Sequence, residues 1–176
     1  MQLVEQLVRT MWEVALEQED RPSFLSLTRQ GLPSLKRDGP DGAEALRRGA
    51  YTLLEASNGT PKVILIASGS ELHLAVEARE TLEEEGVPTR VVSMPSWRLF
   101  LGQDQGYRDS VLPPEIPARV SVEAGTTLGW TLWIGSEGTA VGLDHFGASA
   151  PWQVLFREYG ITSERTVDEA RRLLSR

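Results

Sequence analysis

A chain of 176 residues, 40% of them apolar, is long enough to bury the core of one ordinary domain and to carry a short appendage. It has no cysteine, which excludes disulfides, thiolate catalysis and cysteine-ligated zinc. A net charge of −7 with no local basic run argues against nucleic acid and anionic membranes as partners. With no signal-like start and no long apolar stretch, the sequence reads as a soluble, cytoplasmic protein.

In chain order, Gln2 to Glu17 predicts a helix with Leu3, Leu7, Met11 and Val14 on one stripe. Ser23 to Thr28 reads as a short strand, broken by Arg29-Gln30-Gly31-Leu32-Pro33. One helix and one strand close no core, so they read as the tail of another domain. From Lys36 to Gly42 the chain is polar and rich in turn formers, as a linker is. Asp41 and Glu44 have capping-box spacing, which places a helix start at Ala43 to Arg48. Gly49 to Glu55 fits either a continuation of that helix or a strand.

Beyond this point strands and helices alternate. Val63 to Ala67 is a fully apolar run of the central parallel type. A helix is predicted from Leu72 to Glu85, stopped by Gly86, and further strands at Arg90–Met94, Arg119–Glu123 and Thr139–Leu143. Pro151 opens a helix ending near Gly160, and Thr166 with Glu169 is read as the cap of the last one. This alternation predicts an open, largely parallel sheet covered on both faces.

Several residues invite a chemical reading. Ser68, Gly69 and Ser70 sit where a strand meets a helix start, as in an anion-binding turn, although Ser68 and Glu71 also make an ordinary capping box. Glu123 ends a strand near Trp130 and Trp133, which suits either a base in a walled pocket or a structural carboxylate among core tryptophans. Asp144, His145 and Ser149 suggest a hydrolase triad, but strand neighbours point to opposite faces and no G-x-S-x-G elbow is present. Gly147 to Ala150 reads as a turn that permits close backbone approach. His73 is read as a surface residue. Arg29 has the bidentate donors that suit a phosphate, against the plainer alternative of a surface salt bridge.

Seven segments in this order resemble transketolase. They are Leu27 to Pro33, Val63 to Glu71, Arg90 to Ser96, Ser110 to Pro113, Arg119 to Gly125, Gly129-Trp130 and Phe146 to Pro151. The resemblance implies that residues 1–35 are the last helix and strand of a pyrimidine-binding domain, 36–47 a linker and 48–176 a C-terminal domain. It implies a three-layer α/β/α fold whose five-stranded sheet is mostly parallel, with Gly49 to Leu54 as its one antiparallel strand. The family moves a two-carbon ketol unit between sugar phosphates using thiamine diphosphate and Mg or Ca, and Arg29 matches its substrate-phosphate arginine. Gly31 stands where that motif normally has Asn. The Gly-Asp-Gly and paired-asparagine cofactor signature is missing, so the chain by itself is expected to bind no cofactor or metal and to be inactive. Its expected partners are the upstream transketolase domains or subunit, in a homodimer. The rival readings are a stand-alone module holding a small anion on the Ser68–Ser70 turn, and the equivalent domain of another thiamine-dependent enzyme.

Overall fold

The structure, a computed structural model, describes residues 2–28, 30–33, 35 and 42–176, and side chains from residue 8 onward apart from 42 and 43. Five strands, β1 (Tyr51–Leu54), β2 (Val63–Ala67), β3 (Thr89–Ser93), β4 (Arg119–Val122) and β5 (Thr139–Val141), form one sheet in the order β1-β3-β2-β4-β5. β2, β3, β4 and β5 pair in parallel, and β1 pairs antiparallel with β3, Tyr51 lying opposite Ser93. The fold class expected from the sequence is therefore the one found.

The apolar run of β2 is buried on both faces because it lies at the centre of the sheet. Val63, Leu65 and Ala67 face a core shared with Leu74, Ala78 and Leu82 of helix α3 (Leu72–Glu84) and with Val167 and Ala170 of helix α8 (Ser163–Leu174). Ile64 and Ile66 face the opposite core, with Val92, Phe100, Trp130 and Trp133. That second layer is built from α4 (Trp97–Leu101), α5 (Gln105–Val111) and α6 (Thr131–Ile134). Each fully buried aliphatic side chain contributes roughly 1.5–3 kcal/mol, so the sheet is held from both sides.

Three local expectations change. The chain leaves α2 (Gly42–Arg47) at Gly49 and enters β1, which settles the open choice at 49–55 in favour of a strand; Asp41, expected to cap that helix, lies outside the described residues. The last helix is capped by Thr162, whose hydroxyl accepts the Arg165 N–H at 3.2 Å, and not by Thr166. Thr166 is buried inside that helix with its own hydroxyl donating to the Thr162 carbonyl at 2.9 Å. Ser23 to Thr28 forms no strand, and Phe24 and Leu27 are 89% and 59% exposed. A single strand has no ladder partner here, and alternation alone cannot hold it in that state.

The first helix, α1 (Gln2–Leu16), lies against α2. Arg47 clasps it, donating to Glu13 at 2.9 Å and to both oxygens of Glu17 at 2.9 and 2.7 Å. Met11 reaches the main core, whereas Trp12 and Leu16 remain 53% and 77% exposed.

Candidate functional site

The parallel strands all end on one edge of the sheet. From β2 the chain passes through α3 to β3 on one side, and from β4 it passes through α6 to β5 on the other. Open α/β sheets hold their ligands where such connections part, here between the ends of β2 and β4.

This crevice is filled by the chain's own side chains. Ser68 donates its hydroxyl to Glu123 Oε1 at 2.8 Å, and the Trp130 indole N–H donates to Glu123 Oε2 at 3.0 Å. Trp130 is itself fixed in the core, 2% exposed, so Glu123 serves as a structural carboxylate with both oxygens engaged. Glu71 sits beside it, 5% exposed, accepting the Ser70 hydroxyl at 2.5 Å and the Ala124 N–H. Burial pushes the Glu71 carboxyl above its ordinary value, the Ser70 and backbone hydrogen bonds oppose the rise, and the charge of Glu123 adds to it.

The Ser68–Glu71 capping box expected here is not made, because the Ser68 hydroxyl is drawn across the sheet to Glu123. The same arrangement bears on the Ser68-Gly69-Ser70 turn as an anion site. Both serine hydroxyls are given to carboxylates, and two carboxylates repel an anion at that point.

A raised carboxyl value in the folded state means that its contribution to stability is present below about pH 4.5, the ordinary value, and is lost as pH rises through the shifted one. Glu71→Gln removes the penalty while keeping an oxygen for the Ala124 N–H. The variant should gain about 1 kcal/mol in urea unfolding at neutral pH. That gain should shrink on acidification; a loss of stability at neutral pH would show that the ionised form is preferred.

The segment 141–151 holds no triad. β5 ends at Val141, so Asp144 and His145 lie on a loop. Asp144 accepts the Thr127 hydroxyl at 2.6 Å, the Thr127 N–H at 2.8 Å and the Thr126 hydroxyl at 3.0 Å, which together hold it below the usual carboxylate range. His145 stacks edge-on against Tyr159 with ring centres 4.9 Å apart, and Ser149 is exposed. Gly147 to Ala150, read as a packing or interface turn, make no close backbone approach within this chain at Gly147, whereas Gly142 does. A Cβ there would lie 2.9 Å from both the Gly125 carbonyl and the Thr127 methyl, whereas at Gly147 it would meet nothing within 4 Å.

His73, expected on the surface, is half-buried, with Nδ1 2.5 Å from the Ser70 carbonyl. Arg29 lies outside the described residues. Among the described residues no group of three or more His, Cys, Asp or Glu side chains is gathered to hold a metal, and no helix is long and apolar enough to cross a membrane. Glu71 was missed as a site residue because its neighbourhood is assembled across the sheet, whereas its local spacing resembles a cap.

Residues 49–162 match the family model for the transketolase-like TK C-terminal domain. The chain is 44% identical over 165 residues to the transketolase of Geobacillus stearothermophilus, covering 94% of this chain and 25% of that protein. It is 47% identical over 161 residues to the chloroplastic transketolase of Spinacia oleracea, covering 91% and 21%. The structure of the transketolase from Leishmania mexicana superposes on 97% of this chain and 24% of its own, with a TM-score of 0.86 and 38% identity. The chain spans about a quarter of the length of these relatives. The family-model match, the sequence identity over nearly the whole chain and the superposition place the chain in the transketolase family, as its C-terminal part.

Proposed function

We propose that the chain is the assembly module of a transketolase, in which ketol transfer between sugar phosphates is performed by the rest of the enzyme. The observation that carries this is the exposed apolar surface of the N-terminal part. α1 and residues 23–28 expose Trp12, Leu16, Phe24 and Leu27 and close no core of their own, as expected of the terminal helix and strand of a pyrimidine-binding domain, residues 1–35. Residues 36–47 then serve as the linker and 48–176 as the C-terminal domain.

In this reading thiamine diphosphate supplies the carbanion-stabilising chemistry and is held, with Mg or Ca, by sequence outside this chain. No reaction step is assigned to the residues described here. The complete enzyme is a cytoplasmic homodimer with active sites at subunit interfaces, and Arg29 grips the substrate phosphate once residues 1–35 are built into their own domain.

The test is reconstitution with the part of the Geobacillus stearothermophilus transketolase that precedes the segment this chain matches. Neither part alone should transfer ketol units, and the mixture should. Arg29→Ala in the mixture should raise KM for the phosphorylated donor by about tenfold or more. Turnover by the isolated chain, or a mixture that stays inactive, would overturn the proposal.

A further inference from the structure

The chain has one asparagine, Asn58, and a glycine follows it. The pair sits in the turn that leads from β1 to β2, where residues 57–60 are all exposed. Asn58 Oδ1 accepts the Thr60 N–H at 2.9 Å, while the Gly59 N–H donates to the Ala56 carbonyl at 2.8 Å. Gly59 holds φ at +75°, and a Cβ there would meet nothing within 4 Å. Asparagine is among the thermolabile residues, and here its side-chain amide lies next to a backbone nitrogen that no side chain crowds.

We propose that Asn58–Gly59 is a self-modification site, at which the folded turn loses ammonia and becomes aspartyl or isoaspartyl. The Gly59 nitrogen, its proton taken by hydroxide, attacks Asn58 Cγ. The new N–Cγ bond closes a succinimide ring as the Cγ–Nδ2 bond breaks and ammonia departs. Water then opens the ring, giving aspartate if it adds at Cγ and isoaspartate if it adds at the backbone carbonyl. The turn acts on this step in two opposed ways. The Thr60 N–H already points at the oxygen on which negative charge develops, and it stabilises the attack as a single oxyanion donor does. The Ala56 carbonyl holds the Gly59 proton, so that one hydrogen bond must open first, which in an exposed turn slows the reaction by about tenfold at most. Aspartate keeps an oxygen for the Thr60 N–H and adds a negative charge close to Glu83, which accepts the Ser57 N–H at 3.1 Å. Isoaspartate carries the main chain through the side-chain carbon, which lengthens the turn between Glu55 and β2. Gln30-Gly31 and Gln105-Gly106, the other amide–glycine pairs, would have to close a larger ring and are expected to stay silent.

Mass spectrometry of the full chain, held in warm, mildly alkaline buffer and sampled over time, tests this. The tryptic peptide 49–62 should gain the mass difference between an amide and a carboxyl group and separate chromatographically into aspartyl and isoaspartyl forms. The folded chain should convert at a rate within about tenfold of that in guanidinium chloride, because only one exposed hydrogen bond has to open. A reaction that required global unfolding would be slower in the folded chain by about a thousandfold or more, and any shortfall beyond about tenfold overturns the proposal. Asn58→Ser keeps a side-chain oxygen for the turn and should abolish the mass gain with thermal unfolding unchanged. A gain that persists in Asn58→Ser, or that maps to a glutamine-bearing peptide, also overturns it.

Discussion

Gly49→Ala is expected to destabilise the chain by about 4 kcal/mol. Gly49 joins α2 to β1 with φ at +85°, a left-handed conformation that costs an L side chain about 1–2 kcal/mol. The remainder comes from collision. A Cβ at this position would lie 2.4 Å from the Phe100 amide nitrogen and 2.4 Å from the Ser96 carbonyl oxygen. Both are backbone atoms at the start of α4, which is tied back by the Ser96 N–H donating to the Gly49 carbonyl at 2.9 Å. The neighbour therefore cannot step aside as a flexible side chain would. Gly59→Ala separates the two causes, since Gly59 has φ at +75° but open space around its Cα. That control should cost about 1 kcal/mol in urea unfolding. Equal losses at the two positions would show that the close approach of α4 to this turn is not what constrains it.

Breaking the ion pair beneath β1 should cost nearly as much. Arg90 is 7% exposed, donates to Glu55 through two nitrogens at 3.0 and 2.7 Å, and gives a third to the Ser110 and Val111 carbonyls at 2.8 and 2.9 Å. This joins the residue after β1, strand β3 and the end of α5 at one guanidinium. Glu55→Ala leaves that cation inside the protein without its counter-charge, for an expected loss of about 3 kcal/mol, read as a lower urea midpoint. Arg90→Lys should lose a comparable amount, because a single ammonium cannot match the planar fork that bridges carboxylate and carbonyls. Arg9→Ala, which removes an exposed pair with Glu13 on α1, should leave the midpoint almost unmoved. If Glu55→Ala were equally silent, the pair would be incidental to the fold.

The elements that could be read from the sequence are those whose signal is local. Val63 to Ala67 is apolar at every position because β2 is covered on both faces, and no other arrangement suits such a short run between turn formers. The strand identity of 51–54 came from family resemblance, since the periodicity there fits two states. Ser23 to Thr28 shows the opposite case, a strand-like pattern that needs partners to become a strand. Caps were misread where two hydroxyl residues stood one helical turn apart. Thr162 and Thr166 both have suitable chemistry, and only burial of the second decides between them. The crevice between β2 and β4 was legible as a position but not in content. Ser68 and Glu123 meet from 55 residues apart, and nothing in either segment announces the other. The exposure of Phe146 was equally hidden, because an apolar residue in a small-residue turn carries no mark of which way it faces.

The inward placement of arginine has an electrical consequence for the whole molecule. Of eighteen lysines and arginines, Arg119 spends its donors on the backbone carbonyls of Leu112, Pro113, Ile116 and Trp133, while Arg79 and Arg90 divide theirs between carbonyls and the carboxylates of Glu83 and Glu55. Two of these inward charges carry their counter-charge with them, and that of Arg119 is held among carbonyl dipoles. The field felt by an approaching molecule is therefore set by the net charge of −7, which these internal pairs leave unchanged. Like charge of this kind adds a long-range repulsion between molecules at low ionic strength, and it fades once salt shortens the range over which the charges are felt.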